Sequence, residues 1–377
     1  MRYTIGQLAE IIDGDRGKNY PKQDEFYPQG YCLFLNTGNV TKEGFIFEEN
    51  QFIMKEKDEA LRKGKLKRGD IVYTTRGTVG NAGYYNSSVP YENVRINSGM
   101  VILRSNGEIV DARFLYQILK SEYYRPYFKQ YCTGSAQPQL PIKNFSQIYL
   151  NVPDIKTQHR IADILSVYDN LIENNQKQIK LLEEAAQRLY KEWFVDLRFP
   201  GHENTKIVDG VPEGWSRGLL KELISVNYGK DHKKAPDDGN IPVYGSGGLM
   251  RKCNKSLFSG EAVLIPRKGS LNNIMYVDET FWTVDTMFYA TMKQPHTAVF
   301  VYFFVKAFDM YSMNIGAAVP SMTAKILDAM DVVIPDKETL EKFDKLTKTY
   351  FNKIKTLQGQ NLSLIHISEP TRRSYIS

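Results

Sequence analysis

Apolar residues recur at alternating steps of four and three along one long stretch of the chain, residues 157–195. This spacing is the 3.5-residue period of a coiled-coil seam, and neither glycine nor proline interrupts it. A helix of that length extends about 58 Å, and its apolar stripe needs a partner to cover it. The predicted seam consists of Ile161, Leu165, Tyr168, Ile172, Asn175, Ile179, Leu182, Ala186, Leu189 and Trp193.

A second stretch near the end of the chain keeps the same spacing and predicts the partner helix. Its seam consists of Leu340, Phe343, Thr347, Tyr350, Ile354, Leu357, Asn361 and Leu364. Because each helix leaves a globular domain by the equivalent route, the two helices are expected to pair antiparallel about a pseudo-two-fold axis. Asn175 is interpreted as a polar seam residue that sets the register.

Short β-rich runs outside these helices predict two domains that mix strands with one helix each. In the first domain the expected strands are 70–75, 99–104 and 146–152, and the expected helix is 111–131. In the second domain the expected strands are 261–266, 283–292 and 329–334, and the expected helix is 297–313.

The two domains also repeat each other in sequence. The run Gly69-Asp70-Ile71-Val72 with Arg76-Gly77-Thr78-Val79 recurs, with one slip of one residue, as Gly260-Glu261-Ala262-Val263 with Arg267-Lys268-Gly269-Ser270-Leu271. At one constant offset, Gly134, Ala136, Pro138, Lys143 and Pro153 recur as Gly316, Ala318, Pro320, Lys325 and Pro335. A repeat of this length is a domain plus a helix rather than one turn of a solenoid. Two similar but different domains suit a protein that binds two different things at a fixed distance.

The predicted fold class is therefore α+β, with two similar mixed α/β domains separated by two long antiparallel coiled-coil helices in a pseudo-two-fold arrangement. The predicted boundaries are 1–153 for the first domain, 154–196 for the central helix, 197–335 for a connector with the second domain, 336–364 for the C-terminal helix and 365–377 for an aberrant tail.

The tail departs from the repeat after Leu364, and Pro370 is expected to keep the helix from resuming. Residues 365–377 are interpreted as not native to this protein, with a natural disordered tail as the alternative. If the second helix ends at Leu364, the start of the first helix lacks a partner, and Ile161, Ile164 and Leu165 are expected to be exposed.

Composition narrows the class of protein only slightly. A hydrophobic content of 42% and a charged content of 24% predict a folded, soluble, cytoplasmic protein. The cysteines Cys32, Cys132 and Cys253 are far apart and give no zinc spacing, and the most apolar stretch, 297–308, is too short to span a bilayer. The formal net charge of +6 is compatible with nucleic acid and does not prove it.

Several short motifs, taken in order, resemble the specificity (S) subunits of Type I restriction-modification systems. They are the glycine-containing runs between 69 and 80, Pro153 with Gln158 at the start of the long helix, Phe-Pro-Gly-His-Glu at 199–203 and Pro-Glu-Gly-Trp at 212–215. Each motif is weak alone, but the order of domain, helix, domain, helix is specific to this family. The resemblance covers residues 1 to about 364.

The resemblance implies that each domain is a target-recognition domain that reads one half of a split DNA sequence. It implies that the paired helices act as a ruler and dock methyltransferase (M) subunits, two of them, to which restriction (R) subunits attach. The S subunit itself performs no chemistry and binds no cofactor. S-adenosylmethionine, ATP and Mg²⁺ are expected in the partner subunits.

Basic and polar residues cluster where such a domain can contact DNA. In the first domain Lys63, Lys65, Lys67 and Arg68 suit phosphates, whereas Arg76, beside a glycine turn that includes Thr78, can approach a base edge. Arg267 is interpreted as the repeat of Arg76. The remaining candidates are Gln137, Gln139, Lys230, Lys233, Lys234, Arg251, Lys252, Lys268, Ser270 and Ser321. For the lysines a solvated surface is an equal alternative, and for the loops 134–139 and 316–321 a turn shaped by Pro138 and Pro320 is at least as well supported.

Two other classes of protein remain as alternatives. One is a methyltransferase or nuclease fused to recognition domains, but the chain has no Asn/Asp-Pro-Pro-Tyr/Phe motif, P-loop or nuclease carboxylate motif. The glycine run 245–248 is interpreted as a tight loop of a recognition domain rather than a methyl-donor site. The other is a coiled-coil adaptor without a role on DNA. No catalytic or metal-binding residue is predicted.

Overall fold

The computed structural model describes residues 1–134, 137–313 and 320–376, with backbone only for 370–376. The chain forms two compact units. The first comprises Met1–Asn175 together with the chain from Gly359 onward, and the second is the continuous stretch Gln176–Gln358. None of the described helices is long and apolar enough to cross a membrane.

The first unit is built on a four-stranded antiparallel sheet of order β2-β8-β5-β6 and a three-stranded sheet of order β4-β3-β7, and β1 pairs with β9. Its strands are β1 Arg2–Thr4, β2 Glu10–Asp13, β3 Cys32–Leu35, β4 Phe52–Ile53, β5 Ile71–Thr74, β6 Ala82–Tyr84, β7 Val94–Ile96, β8 Met100–Arg104 and β9 Tyr149–Asn151. Its helices are α1 Ile5–Leu8, α2 Lys55–Ala60, α3 Ala112–Lys120, α4 Arg125–Lys129, α5 Ile142–Ser146 and the first part of α6 Ile155–Tyr190.

The second unit contains a six-stranded sheet of order β13-β18-β16-β17-β14-β15, together with the pairs β12-β19 and β10-β11. Its strands are β10 Ile207–Val208, β11 Val211–Pro212, β12 Ser216–Leu219, β13 Ile224–Tyr228, β14 Ile241–Gly245, β15 Gly248–Cys253, β16 Phe258–Pro266, β17 Met275–Thr283, β18 Met287–Met292 and β19 Asp331–Ile334. Its helices are α7 Ala298–Lys306, α8 Ala324–Asp328 and the first part of α9 Lys337–Ile376, and a π-helical turn, Lys191–Val195, follows α6.

The six predicted strands are present, but three element boundaries were wrong. The single helix expected over 111–131 is two helices, because Ser121 is extended (ψ 129°) and Pro126 starts a new helix. The strand expected from Thr283 begins at Met287, since a turn closed by the Met287 N–H and the Val284 carbonyl (3.0 Å) precedes it. The helix expected to reach Met313 ends at Lys306.

Burial along the long helices confirms the predicted seam. Every predicted seam position on α6, up to Leu189, is buried or half-buried, and so is Trp193 in the turn that follows. Phe343, Tyr350, Ile354 and Leu357 of α9 are likewise covered. Apolar residues outside the seam, such as Val167 and Leu181, are 56% and 63% exposed. The 3.5-residue period therefore identified the packed face of each helix.

Each unit contains its own antiparallel contact between the two long helices. In the first unit the Asn175 side-chain amide donates to Asn361 Oδ1 (2.9 Å), which agrees with a polar pair that sets the register. Asp169, six residues before Asn175 on α6, accepts a hydrogen bond from Gln117 of α3. Glu369, eight residues after Asn361 on α9, accepts one from Ser121 just after α3. The two helices therefore run antiparallel here. In the second unit Trp193, just beyond the end of α6, packs on Phe343 near the start of α9, with ring centroids 5.8 Å apart.

The expectation that the start of α6 is uncovered was wrong for two of its three residues. Ile161 and Leu165 are 3% and 0% exposed because they pack into the core of the first domain with Phe114 and Leu115. Ile164, which lies beside them on the helix surface, is 44% exposed. The globular domain covers this end of the seam.

The expectation that the helix ends at Leu364 was also wrong. The backbone of α9 remains helical to Ile376, through Pro370. Proline removes one helical N–H, but tertiary contacts hold the turn before it: Ser368 is buried, and the Glu369 carboxylate accepts from the Ser121 hydroxyl (3.3 Å) and the Glu122 N–H (3.1 Å).

Candidate nucleic-acid interface

Two loops that repeat between the domains lie side by side in the first domain. The Leu140 N–H donates to the Thr75 carbonyl (2.9 Å), which ties the end of the 134–139 loop to the turn that carries Arg76. Thr133 and Gln139 exchange backbone hydrogen bonds of 2.7 and 2.9 Å that close the loop. Gln137 and Gln139 are exposed on it. The repeated residue Ala136 lies outside the described residues.

The same two loops lie side by side in the second domain. The Met322 N–H donates to the Arg267 carbonyl (2.9 Å), and the Gly269 N–H donates to the Pro320 carbonyl (3.2 Å). Lys268 and Ser321 form an isolated antiparallel β-bridge. Gly316 and Ala318 fall outside the described residues. Residues more than 50 positions apart in sequence are thus brought together twice in the same way.

Strand register corrects the interpretation of Arg267 as the repeat of Arg76. Ile71 pairs with Tyr84 and Val263 pairs with Tyr276, so the offset between the domains along this strand is 192 residues. The backbone hydrogen bonds give the same alignment. The N–H groups of Thr75 and Arg76 both donate to the Gly99 carbonyl, and those of Arg267 and Lys268 both donate to the Thr286 carbonyl. Lys268 is therefore the counterpart of Arg76, and Arg267 is the counterpart of Thr75.

The exposed cations on these turns are Arg76 and Lys268. Both side chains reach solvent, and neither forms a hydrogen bond or ion pair within residues 1–134, 137–313 and 320–376. Arg267 is half-buried, donates to the Asp285 carbonyl (3.2 Å) and lies 5.6 Å from the ring centre of Tyr228. On each of these two turns an exposed basic side chain therefore directly precedes a left-handed glycine, Gly77 (φ 68°) or Gly269 (φ 87°).

The remaining turn residues Thr78, Ser270 and Ser321 differ in exposure. Thr78 and Ser270 are exposed, and the Thr78 carbonyl accepts from the Thr74 hydroxyl (2.5 Å), which fixes the turn. Ser321 is half-buried next to Lys268. These three hydroxyl side chains stay candidates for hydrogen bonds to DNA.

A cavity of about 300 Å³ lies between the two loops of the first domain. Its wall combines the turn 77–80 and Pro138 with the basic side chains Arg125 and Lys129. Tyr73 and Phe128 supply the apolar part of the lining, and burial raises the pKa of Tyr73, which keeps its hydroxyl protonated. Arg125 and Lys129 supply the basic groups of this concave surface, and the Arg125 guanidinium is ion-paired with Glu122 (3.1 Å).

All four basic residues of the run 63–68 are exposed, but two of them, Lys65 and Arg68, also bond within the domain. Lys67 and Lys63 are exposed, so Lys67 stays a candidate for a phosphate contact. Lys65 binds the buried carboxylate of Asp58 (2.5 Å). The Arg68 guanidinium donates to the carbonyls of Asn86, Val89 and Tyr91 and stacks 4.2 Å over Tyr85. Because Arg68 is used to fix the 86–91 loop, its geometry argues against a phosphate contact.

The basic group of the second domain divides in the same way. Lys230, Lys233, Lys234 and Lys252 are exposed and remain candidates. Arg251 is half-buried and donates to the Asp237 carboxylate and to the carbonyls of His232 and Ala235. Arg251 therefore holds the 231–237 loop onto the β14-β15 hairpin, and we interpret it as structural rather than DNA-binding.

Within the described residues, no group of three or more His, Cys, Asp or Glu side chains is arranged to hold a metal ion. The glycine run 245–248 forms the turn of the β14-β15 hairpin. This is the tight loop that the sequence predicts.

Comparison with known proteins places these loops in a family context. The family model for the Type I restriction modification DNA specificity domain matches residues 1–184 and again residues 212–364. The chain belongs to this family. The match in two segments confirms both the internal repeat and the resemblance drawn from the motifs.

Relatives in this family are named as specificity subunits. The HindI specificity subunit of Haemophilus influenzae is 31% identical over 194 residues, which cover 51% of this chain and 42% of that protein. The MjaIX specificity subunit of Methanocaldococcus jannaschii is 23% identical over 356 residues, 83% of this chain and 78% of that protein. The crystal structure of a Type I S subunit from M. genitalium superposes with a TM-score of 0.61 at 17% identity, over 100% of this chain and 96% of that one, and supports the fold alone.

Proposed function

We propose that this chain reads a two-part DNA sequence as the specificity subunit of a Type I restriction-modification complex. The observation that carries the proposal is the recurrence in both domains of one loop pair around an exposed cation, Arg76 or Lys268, that precedes a glycine. A long cation beside a residue without a side chain can approach a base edge in the major groove closely. Each domain then reads one half of the target.

Within this proposal the candidates divide by chemistry. Arg76, Lys268, Gln137, Gln139 and Ser321 lie on the loop pairs and suit hydrogen bonds to base edges. Lys67, Lys230, Lys233, Lys234 and Lys252 are exposed lysines outside the loop pairs and suit phosphates, which give affinity without sequence information.

The long helices are proposed to dock two methyltransferase subunits, and restriction subunits attach through these. Support comes from α6, whose face outside the seam carries exposed apolar residues at steps of three and four: Ile164, Val167 and Leu171 are 44%, 56% and 45% exposed. Methyl transfer and ATP-dependent cleavage belong to the partners, together with S-adenosylmethionine, ATP and Mg²⁺. We assign no catalytic step to this chain and place the complex in the cytoplasm.

The proposal predicts a bipartite, asymmetric target. Two domains with different loop residues should each select a short block of bases, separated by a gap of fixed length and unspecified sequence. Mapping of methylated positions in DNA treated with the chain plus its methyltransferase measures this directly. The chain alone and the methyltransferase alone are the controls, and methylation by the chain alone would favour the fused enzyme. A single continuous block would contradict the proposal.

Substitutions of Arg76 and Lys67 should have different effects on DNA binding: the first should change sequence selectivity and the second should change affinity for all DNA. Arg76→Ala is expected to weaken binding to the cognate duplex by about 1–3 kcal/mol and to relax one position in one half of the target, because a base contact is lost. Lys67→Ala is expected to weaken cognate and random DNA alike and to reduce the salt slope by about 1, because a phosphate contact is lost. Titrations at several salt concentrations measure both.

The matched variant in the second domain is Lys268→Ala, which should relax a position in the other half. Arg68→Ala provides a control, because the Arg68 guanidinium is bonded inside the domain. This variant should lower the melting temperature and leave the salt slope of DNA binding unchanged. If Arg76→Ala loses the same affinity for cognate and random DNA, Arg76 contacts a phosphate and not a base.

A further inference from the structure

A third loop meets the basic turn in both domains. In the first domain, β3 runs parallel to β7 with Leu35 opposite Ile96, and the chain then enters the loop Asn36-Thr37-Gly38-Asn39. In the second domain, β14 runs parallel to β17 with Tyr244 opposite Thr283, and the chain then enters Gly245-Ser246-Gly247-Gly248. In each domain a hydroxyl side chain followed by glycine therefore lies two residues after the last residue of the parallel pairing, Leu35 or Tyr244.

The two hydroxyl residues contact equivalent glycines. A β-carbon built on Gly77 would lie 3.5 Å from Thr37 Oγ1, and one built on Gly269 would lie 2.8 Å from Ser246 Oγ. Gly77 and Gly269 are equivalent at the offset of 192 given by the strand register. Each hydroxyl therefore lies against the glycine that follows the exposed cation Arg76 or Lys268.

The loops are fixed without help from these hydroxyl groups. Asn36 Oδ1 accepts from the Gly38 N–H (2.7 Å), and Asn39 Oδ1 accepts from the Asn36 N–H (2.9 Å). In the second domain Asn273 donates to the Ser246 carbonyl (2.8 Å). Thr37 and Ser246 are half-buried, and in the described ranges neither side-chain hydroxyl forms a hydrogen bond. Both hydroxyl groups are left available to a ligand.

We propose that the Thr37 and Ser246 hydroxyl groups each hydrogen-bond to a base edge, one in each half of the target. This inference rests on the proposed function and adds one specificity-determining residue to each domain. A base is favoured over a phosphate because each hydroxyl lies against the glycine of the turn whose cation, Arg76 or Lys268, is the proposed base contact. Serine and threonine hydroxyl groups can donate to or accept from any base.

The test uses the full chain and duplexes with a randomised central segment, from which the wild type selects its own target. Thr37→Val keeps the methyl group and removes the hydroxyl, and Ser246→Ala removes the hydroxyl alone. Each variant should bind the selected duplex about three- to tenfold more weakly, as expected for one lost hydrogen bond, and should relax one position in one half only. Thr37→Val and Ser246→Ala should affect opposite halves.

Ser88→Ala and Ser259→Ala are the matched controls, because both remove an exposed hydroxyl outside the three loops of the same two domains. They should leave affinity and selected sequence unchanged, and melting curves establish that every variant is folded. Unchanged selection by Thr37→Val and Ser246→Ala, or equal loss on selected and scrambled DNA, would overturn the inference while the proposed function stands. A wild-type chain that selects no sequence would contradict the proposed function itself, and the inference with it.

Discussion

Replacement of Phe343 by alanine is expected to lower the free energy of unfolding of the second unit by about 3–5 kcal/mol. Phe343 is 0% exposed and packs against Trp193 and Phe194, with ring centroids 5.8 and 4.8 Å away. Its loss removes a large buried surface and leaves a cavity in the joint between α9 and the end of α6. Trp193, Trp215 and Trp282 all lie in this unit, so tryptophan fluorescence during denaturation reports on it selectively.

Leu346→Ala is the matched control on the next turn of the same helix. Leu346 is 46% exposed, so its truncation should change the free energy of unfolding by less than about 1 kcal/mol. If both substitutions shift the fluorescence transition equally, the aromatic cluster is not the anchor of this helix.

Asp58→Ala is expected to destabilise the first unit by about 3–5 kcal/mol, because it leaves a buried cation without its partner. Asp58 is 1% exposed, and its carboxylate accepts from Arg95 Nε and from Lys65 Nζ, both at 2.5 Å. Arg95 is itself 5% exposed and lies on β7. Amide hydrogen exchange of β7 measures the effect in this unit.

Glu59→Ala on the same helix is the control, because it removes an ion pair on the surface instead of the buried pair. Glu59 and Lys55 are 3.9 Å apart with side chains 66% and 59% exposed, so this change should cost less than about 1 kcal/mol. Equal exchange rates in the two variants would show that the buried Asp58 pair stabilises the first unit no more than the surface pair does.

The same carboxylate predicts a direction of pH dependence. Burial acts to raise the pKa of Asp58, but the hydrogen bonds from Lys65 and Arg95 outweigh burial and hold that pKa below its ordinary value of 3.8. A carboxyl with a lowered folded-state pKa contributes stability above its unfolded value and loses that contribution as pH falls through the folded value. The stability difference between wild type and Asp58→Asn should therefore narrow below about pH 4.

The sequence predicted the seam because its signal is strictly local. Ile161 and Leu182 on α6 and Ile354 on α9 each follow the alternating steps of four and three within their own helix, and these positions are buried or half-buried. The pattern did not show what covers that face of the helix: Leu165 packs into the core of the first domain. The end of the helix was predicted from the loss of the repeat after Leu364 and from Pro370, whereas Glu369 bonds to residues some 250 positions earlier in the chain.

The DNA candidates were harder to assign because an arginine looks the same in sequence whether it faces solvent or bonds internally. Arg68 and Arg251 bond to carbonyls 16 to 23 residues away, which no spacing rule marks. Arg76 was matched to Arg267 because both are arginines, and the strand register shows that its counterpart is the next residue, Lys268. The position of Thr37 and Ser246 against the basic turns was missed because Thr37 precedes its basic turn by 39 residues and Ser246 precedes its own by 22.

The way the chain is divided between the two units sets an order of assembly. The second unit is one uninterrupted stretch, 176–358, whereas the first takes in residues from both 1–175 and 359 onward. On the ribosome the second unit is therefore fully synthesised while the first still lacks the segment that carries Asn361 and Glu369. Until that segment emerges, Asn175 has no partner for its amide, and the face of α6 that it occupies is open to chaperones or to another nascent chain.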